Sequence, residues 1–110
     1  GQRGAAAMTS AGDYIEQSAL KVEAVDPTGA GDAFCAGVIF ELISRRSIKN
    51  LEKALSVSEL TRLLLYGQAT GAACVTGIGT TTNVTKETVQ KLLDEQGSQV
   101  LEGTKAQKLR

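Results

Sequence analysis

Apolar and polar positions change rhythm several times along this chain, and each change predicts an element. Ala5 to Thr9 and Tyr14 to Gln17 are short mixed runs separated by Ala11-Gly12-Asp13, a turn signal, and they predict two strands. Lys21 to Val25 alternates Lys-Val-Glu-Ala-Val and predicts a third strand. From about Gly31 to Arg46 the period becomes helical, with Phe34, Val38, Ile39, Leu42 and Ile43 on one stripe. Ala33, Ala36 and Phe40 widen that stripe until little of the helix is left for water, so cover on two sides is expected.

A polar stretch from Ser47 follows, with a short helical piece at Leu51 to Leu55. Ser56-Val57-Ser58-Glu59 then fits a capping box and opens a second long helix, about Val57 to Val75. Leucines fill its first half; Gly67, Ala69, Gly71, Ala72 and Ala73 fill the second. Small residues at that density let a neighbouring backbone or a flat ligand come close, and both readings stand. Thr85 caps a third helix whose stripe is Val89, Leu92 and Leu93, with Gly97 as its stop. Gly103 to Arg110 has no period and reads as a frayed polar tail. The domain expectation is one unit over residues 1–97 and a tail over 98–110.

Composition narrows the function. At 110 residues the chain holds one modest core. Twelve basic and twelve acidic residues balance, which argues against a nucleic-acid partner. No apolar run approaches the roughly 18 residues of a membrane span, and no signal peptide is visible. There is no histidine and no C-x-x-C, so zinc and histidine chemistry are excluded within the chain. Cys35 and Cys74 both fall in apolar helical runs, which predicts buried, reduced thiols and a cytoplasmic protein.

The chemistry concentrates in Asp26-Pro27-Thr28-Gly29-Ala30-Gly31-Asp32, between the predicted third strand and the first long helix. Strand, glycine turn and helix is an arrangement in which backbone N–H groups point at an anion. Gly29 and Gly31 let that anion approach the main chain, and Asp32 sits at the helix start, where the dipole favours a carboxylate. A base beside an anion-binding turn suits phosphoryl transfer to a hydroxyl. The same residues also make an ordinary packing turn with an aspartate cap. Spacing excludes a P-loop, since no Gly-Lys pair exists, and a dinucleotide fingerprint, since Phe34 occupies its third glycine position.

D-P-T-G-A-G-D-A-F-C-A-G, Asp26 through Gly37, resembles the second signature of the ribokinase-like (PfkB-type) carbohydrate kinases at every position, and Val38-Ile39 continue it. The resemblance implies an α/β fold: the C-terminal portion of a ribokinase-like, doubly wound three-layer architecture, here a hairpin of short strands plus about three helices. It implies that Asp32 is the catalytic base, and that the Gly29 to Asp32 turn, through the amides of Ala30, Gly31 and Asp32, is the anion hole. Gly1-Gln2-Arg3-Gly4 is similar to the second half of a family segment bordering the nucleotide phosphates. Gln68 stands where the family commonly has Asn or His beside the adenine pocket. Gly1, Gln2, Arg3, Gly4, Gly31, Asp32 and Gln68 are therefore expected to border ATP with its Mg2+. Val75 to Gly79 is similar to a family loop that binds potassium, implying ligands from Asp26, Thr28, Cys74, Gly77 and Gly79 with Asn83 nearby.

The implied partner is a sugar or nucleoside. The lid, most of the sheet, the sugar-binding residues and the N-x-x-E motif are expected upstream, so the chain itself is expected to be an inactive fragment. Its apolar first helix predicts a homo-oligomer. A non-catalytic nucleotide- or anion-binding module is the alternative; the aspartate at position 32 favours the enzyme.

Overall fold

The computed structural model describes residues 4–9, 12–22, 29–45, 56–75 and 86–108. Among the described residues the chain is a small α/β assembly of six elements: β1 (Ala5–Met8), β2 (Asp13–Gln17), α1 (Ala30–Arg45), α2 (Val57–Val75), α3 (Lys86–Gly103) and β3 (Lys105–Lys108). The strands form one antiparallel sheet in the order β1-β2-β3. Ala5 faces Gln17 and Met8 faces Tyr14; on the other side Asp13 faces Lys108 and Glu16 faces Lys105. Gly12, at φ +92°, and Thr9 close the hairpin, with the Thr9 Oγ1 accepting from the Asp13 N–H at 3.1 Å.

The core sits on both sides of α2. Leu60 and Leu64 pack with Ile15 of β2, and Phe34 of α1 leans on that cluster. Leu65, Ala69, Ala72 and Ala73 pack with Leu20 and with Val89 and Val100 of α3. The central helix is therefore α2, with an almost unbroken run of buried residues from Leu63 to Cys74. For the first helix the sequence predicts an apolar stripe wide enough to need cover on two sides. Instead, among the described elements, α1 packs chiefly on α2 and leaves Ile39, Phe40 and Ile43 more than half exposed. Cys35, on that outer face, is exposed as well, while Cys74 is buried as expected; neither forms a disulfide.

The capping box is formed. The Ser56 Oγ accepts from the Glu59 N–H and the Glu59 carboxylate accepts from the Ser56 N–H, both at 3.1 Å. Three other expectations are corrected. Helix α3 does not stop at Gly97: that glycine is buried, and a side chain on it would lie 3.7 Å from Leu65. Gly97 sits at the contact of α3 with α2, and Val100 carries the apolar stripe one turn further. The segment after Gly103 is not a frayed tail, because Lys105–Lys108 pairs with β2 and Lys108 makes a 3.3 Å ion pair with Asp13. Lys21 and Val22 belong to no strand. The backbone N–H and C=O of Lys21 are both taken by the Gln96 side chain, which stands in for a neighbouring strand. The rest of that expected strand, the short helical piece at 51–55 and the Thr85 cap lie outside the described residues.

Among the described residues no helix is long and apolar enough to cross a membrane.

Ser56→Ala removes one half of a reciprocal cap. Loss of such a cap costs about 0.5–2 kcal/mol, so urea unfolding of the variant is expected to show a lower midpoint with an unchanged slope. An unchanged midpoint would mean that the cap contributes nothing to stability.

Candidate active site at the N-terminus of the first helix

Gly29 adopts φ +82°, a left-handed conformation that a side chain disfavours. It turns the chain directly into α1, whose first ladder bond runs from the Ala33 N–H to the Gly29 carbonyl at 2.9 Å. The amides of Ala30, Gly31 and Asp32 precede that bond, where a helix offers no carbonyl of its own. Among the described residues, a side chain on Gly31 would meet nothing within 4 Å. Asp32 lies in the first turn and is exposed. Open backbone, orphan donors and an accessible carboxylate thus fall within one turn of helix. The arrangement suits an anion held by the main chain, with a proton acceptor next to it.

Helix α2 fixes where this turn sits. A side chain on Gly71 would come 3.2 Å from the Ala30 carbonyl oxygen and 3.7 Å from the Phe34 Cβ. One on Gly67 would come 3.0 Å from the Phe34 ring. A side chain on Gly37, the last glycine of the signature, would come 2.8 Å from the Thr70 Cβ and 3.3 Å from the Gly67 Cα. The small residues of α2 therefore serve the close approach of α1. Farther along the same crossing the Phe40 and Tyr66 rings stack with centroids 6.0 Å apart. Burial first, then the nearby Glu41 carboxylate, raise the Tyr66 phenol above its ordinary pKa.

The same helix carries Gln68, one turn before Gly71. Its carboxamide is buried, and the Nε2 donates to the Gln17 Oε1 at 2.8 Å and to the Ser18 carbonyl at 2.9 Å. Gln17, also buried, donates in turn to the Thr61 carbonyl at 3.0 Å and to the Thr104 hydroxyl at 3.3 Å. Gly4 reaches the same place: it holds φ +94°, and a side chain on it would run into the Gln17 carbonyl and come 3.0 Å from the Ala19 nitrogen. Gly4 and Gln68 therefore converge on the end of β2. Gln68 and Gly71, a turn apart on α2, link that place to Ala30.

Gly1, Gln2, Arg3, Asp26, Thr28, Gly77, Gly79 and Asn83 lie outside the described residues. Cys74, alone of the implied potassium ligands, is described, with a buried side chain near the end of α2. Among the described residues no three His, Cys, Asp or Glu side chains converge on a metal position.

A family model described as pfkB family carbohydrate kinase matches residues 1–87. The chain belongs to that family. The match runs through the hairpin, the turn, α1 and α2, and ends as α3 begins. No curated protein is significantly similar to the chain. As a pfkB carbohydrate kinase chain it carries the Gly29 to Asp32 turn inside the matched region.

Sequence reasoning missed Gln17, Gln96 and Thr104. The first two left a signal. Gln17 follows Ile15 at the strand period of two, on the inward face, and Gln96 follows Leu92 at the helical spacing of four on an apolar stripe. A polar side chain at an inward position predicts a buried partner.

Gly37→Ala overfills the crossing of α1 and α2. Overpacking typically costs about 1–3 kcal/mol, and here the strain falls on the helix that carries Asp32. The variant is expected to melt earlier and, while still folded, to bind phosphate or nucleotide more weakly. Unchanged stability would show that the seam has slack.

Proposed function

We propose that the chain is the nucleotide-side, C-terminal part of a ribokinase-like sugar kinase domain, which transfers the γ-phosphoryl of ATP to a hydroxymethyl group of a sugar or nucleoside. The observation that carries this reading is the exposed Asp32 on the open turn Gly29-Ala30-Gly31, inside the region that matches the pfkB family. In the reaction the acceptor oxygen forms a bond to the γ-phosphorus as the bond to the β,γ-bridging oxygen breaks, and ADP leaves. Asp32 takes the hydroxyl proton. The amides of Ala30, Gly31 and Asp32 face the charge that builds on the moving phosphoryl, where preorganised donors are most effective. Gly4 and Gln68 border the nucleotide side; the buried Gln68 amide does so by fixing the end of β2 rather than by donating to the base. Mg2+ would travel with the ATP phosphates.

The acceptor hydroxyl has to be held against Asp32, and positioning of that kind contributes about 7–11 kcal/mol to a catalysed barrier. No Asn in this chain is followed three residues later by Glu, the pair that the family resemblance ties to magnesium and phosphate. The 110 residues by themselves are therefore expected to give no turnover in a coupled assay over furanose sugars. Measurable turnover would overturn that expectation.

The test of the mechanism is Asp32→Asn in the intact protein. Loss of a general base typically costs about 10²–10⁴-fold in rate, so kcat is expected to fall within that range while ATP affinity holds. Near-normal kcat would remove Asp32 from the role of base.

A further inference from the structure

Phe34 follows Asp32 by two residues in α1, and two residues turn a helix by about 200°. The two side chains therefore leave nearly opposite faces. Asp32 is exposed, and Phe34 is half-buried against α2. At this end of the seam the bulk comes from Phe34. A side chain on Gly67 would come 3.0 Å from its ring. One on Gly71 would come 3.7 Å from its Cβ and 3.9 Å from its backbone nitrogen. The ring also packs on the cluster of Ile15 from β2 with Leu60 and Leu64 from α2. Rotating α1 about its own axis would drive this ring into α2 or draw it away from that cluster.

The same contact reaches the backbone of the turn. The Ala30 carbonyl oxygen lies beside Gly71, 3.2 Å from where a side chain there would begin. In the ladder of α1 that oxygen is the acceptor for the Phe34 N–H. A trans peptide carries its N–H on the side opposite its C=O, so the Gly31 N–H leaves the far side of the same unit. Phe34 and one of the three anion-hole amides thus share a single helical turn, and that turn is seated on Gly67 and Gly71. We infer that Phe34 is a positioning residue for phosphoryl transfer. Its ring sets the rotation of α1, which aims the Gly31 amide at the anion and keeps the Asp32 carboxylate on the outer face. The ring faces α2, so Phe34 acts through the backbone of its own turn. The inference rests on the reading of Gly29–Asp32 as the anion site.

Three variants of the intact protein test it. Phe34→Leu keeps an apolar side chain but loses the ring at Gly67. Phe34→Ala loses the contact with the cluster as well. Ser56→Ala weakens the cap at the far end of α2 and leaves the seam untouched, since the described hydrogen bonds of Ser56 stay within the first turn of that helix. The readouts are amide hydrogen exchange at Ala33, the calorimetric Kd for Mg2+ with a non-hydrolysable ATP analogue, and the melting temperature. Exchange at Ala33 reports on the turn because its N–H closes the first ladder bond, to the Gly29 carbonyl. Phe34→Leu is expected to speed that exchange and to weaken analogue binding by about threefold or more. Phe34→Ala is expected to exceed it in both; if that variant does not fold, Phe34→Leu decides alone. Ser56→Ala lowers the melting temperature but leaves the Kd and the Ala33 exchange unchanged. A Phe34→Leu protein with unaltered Ala33 exchange or unaltered Kd has lost core packing only and overturns the inference, as does an equal loss of analogue binding in Ser56→Ala. A wild-type protein that does not bind the analogue overturns the kinase reading instead, and the exchange readout still decides whether Phe34 seats the turn.

Discussion

The close crossing of α1 on α2 is the constraint on which the rest of the structure depends. Gly37, Gly67 and Gly71 remove the side chains that would hold the two helices apart, and Phe34, Val38 and Thr70 fill the seam they leave. Helices meet by fitting ridges into grooves, and a seam of glycines draws the axes closer than larger side chains permit. Each glycine costs helix stability, up to about 1 kcal/mol relative to alanine. The gain is positional: with Gly71 against the Ala30 carbonyl, the first turn of α1 is seated on the most buried helix of the molecule. An anion site made of backbone amides has no side chain to adjust, so its geometry is only as good as the seat of its helix.

The second organising feature is polar. Gln17 and Gln68 are buried, and each spends its donors on named acceptors: Thr61 and Thr104 for one, Gln17 and Ser18 for the other. Among the described residues no buried side-chain nitrogen or oxygen lacks a partner. A satisfied network of this kind fixes register, because a displaced strand or helix leaves a buried amide unpaired at a cost of about 1–3 kcal/mol. Here it ties β2 to α2 and to the end of α3. The sheet, the central helix and the C-terminal segment thus share one register, and the turn that carries Asp32 inherits it.

Much of this was legible in the sequence where the signal is local. The Ser56–Glu59 box gave the start of α2, its apolar run gave the end, and the glycine turn at Gly29 marked the start of α1. What was not legible depends on distant partners. Gly97 reads as a stop until Leu65 is seen beside it. Lys105–Lys108 has no apolar period because every side chain in it is exposed; β2 recruits it through backbone pairing and the Lys108–Asp13 ion pair. Lys21–Val22 reads as strand by alternation, but its hydrogen-bonding groups are met by a side chain from α3. The wide apolar stripe of α1 asked for cover on two sides, yet an apolar stripe does not say how many neighbours will arrive. Ile39, Phe40 and Ile43 remain exposed among the described residues.

The central claim is that the main chain from Ala30 to Asp32 is an anion site. It is tested most directly by titrating the isotopically labelled intact protein with Mg2+ and a non-hydrolysable ATP analogue while following backbone amide resonances. The account predicts saturable shifts led by the amides of Ala30, Gly31 and Asp32, with smaller ones at the end of β2 beside Gly4 and Gln68. Saturable shifts confined to other segments, such as the charged outer face of α3, with the Ala30–Asp32 amides unmoved, would contradict it.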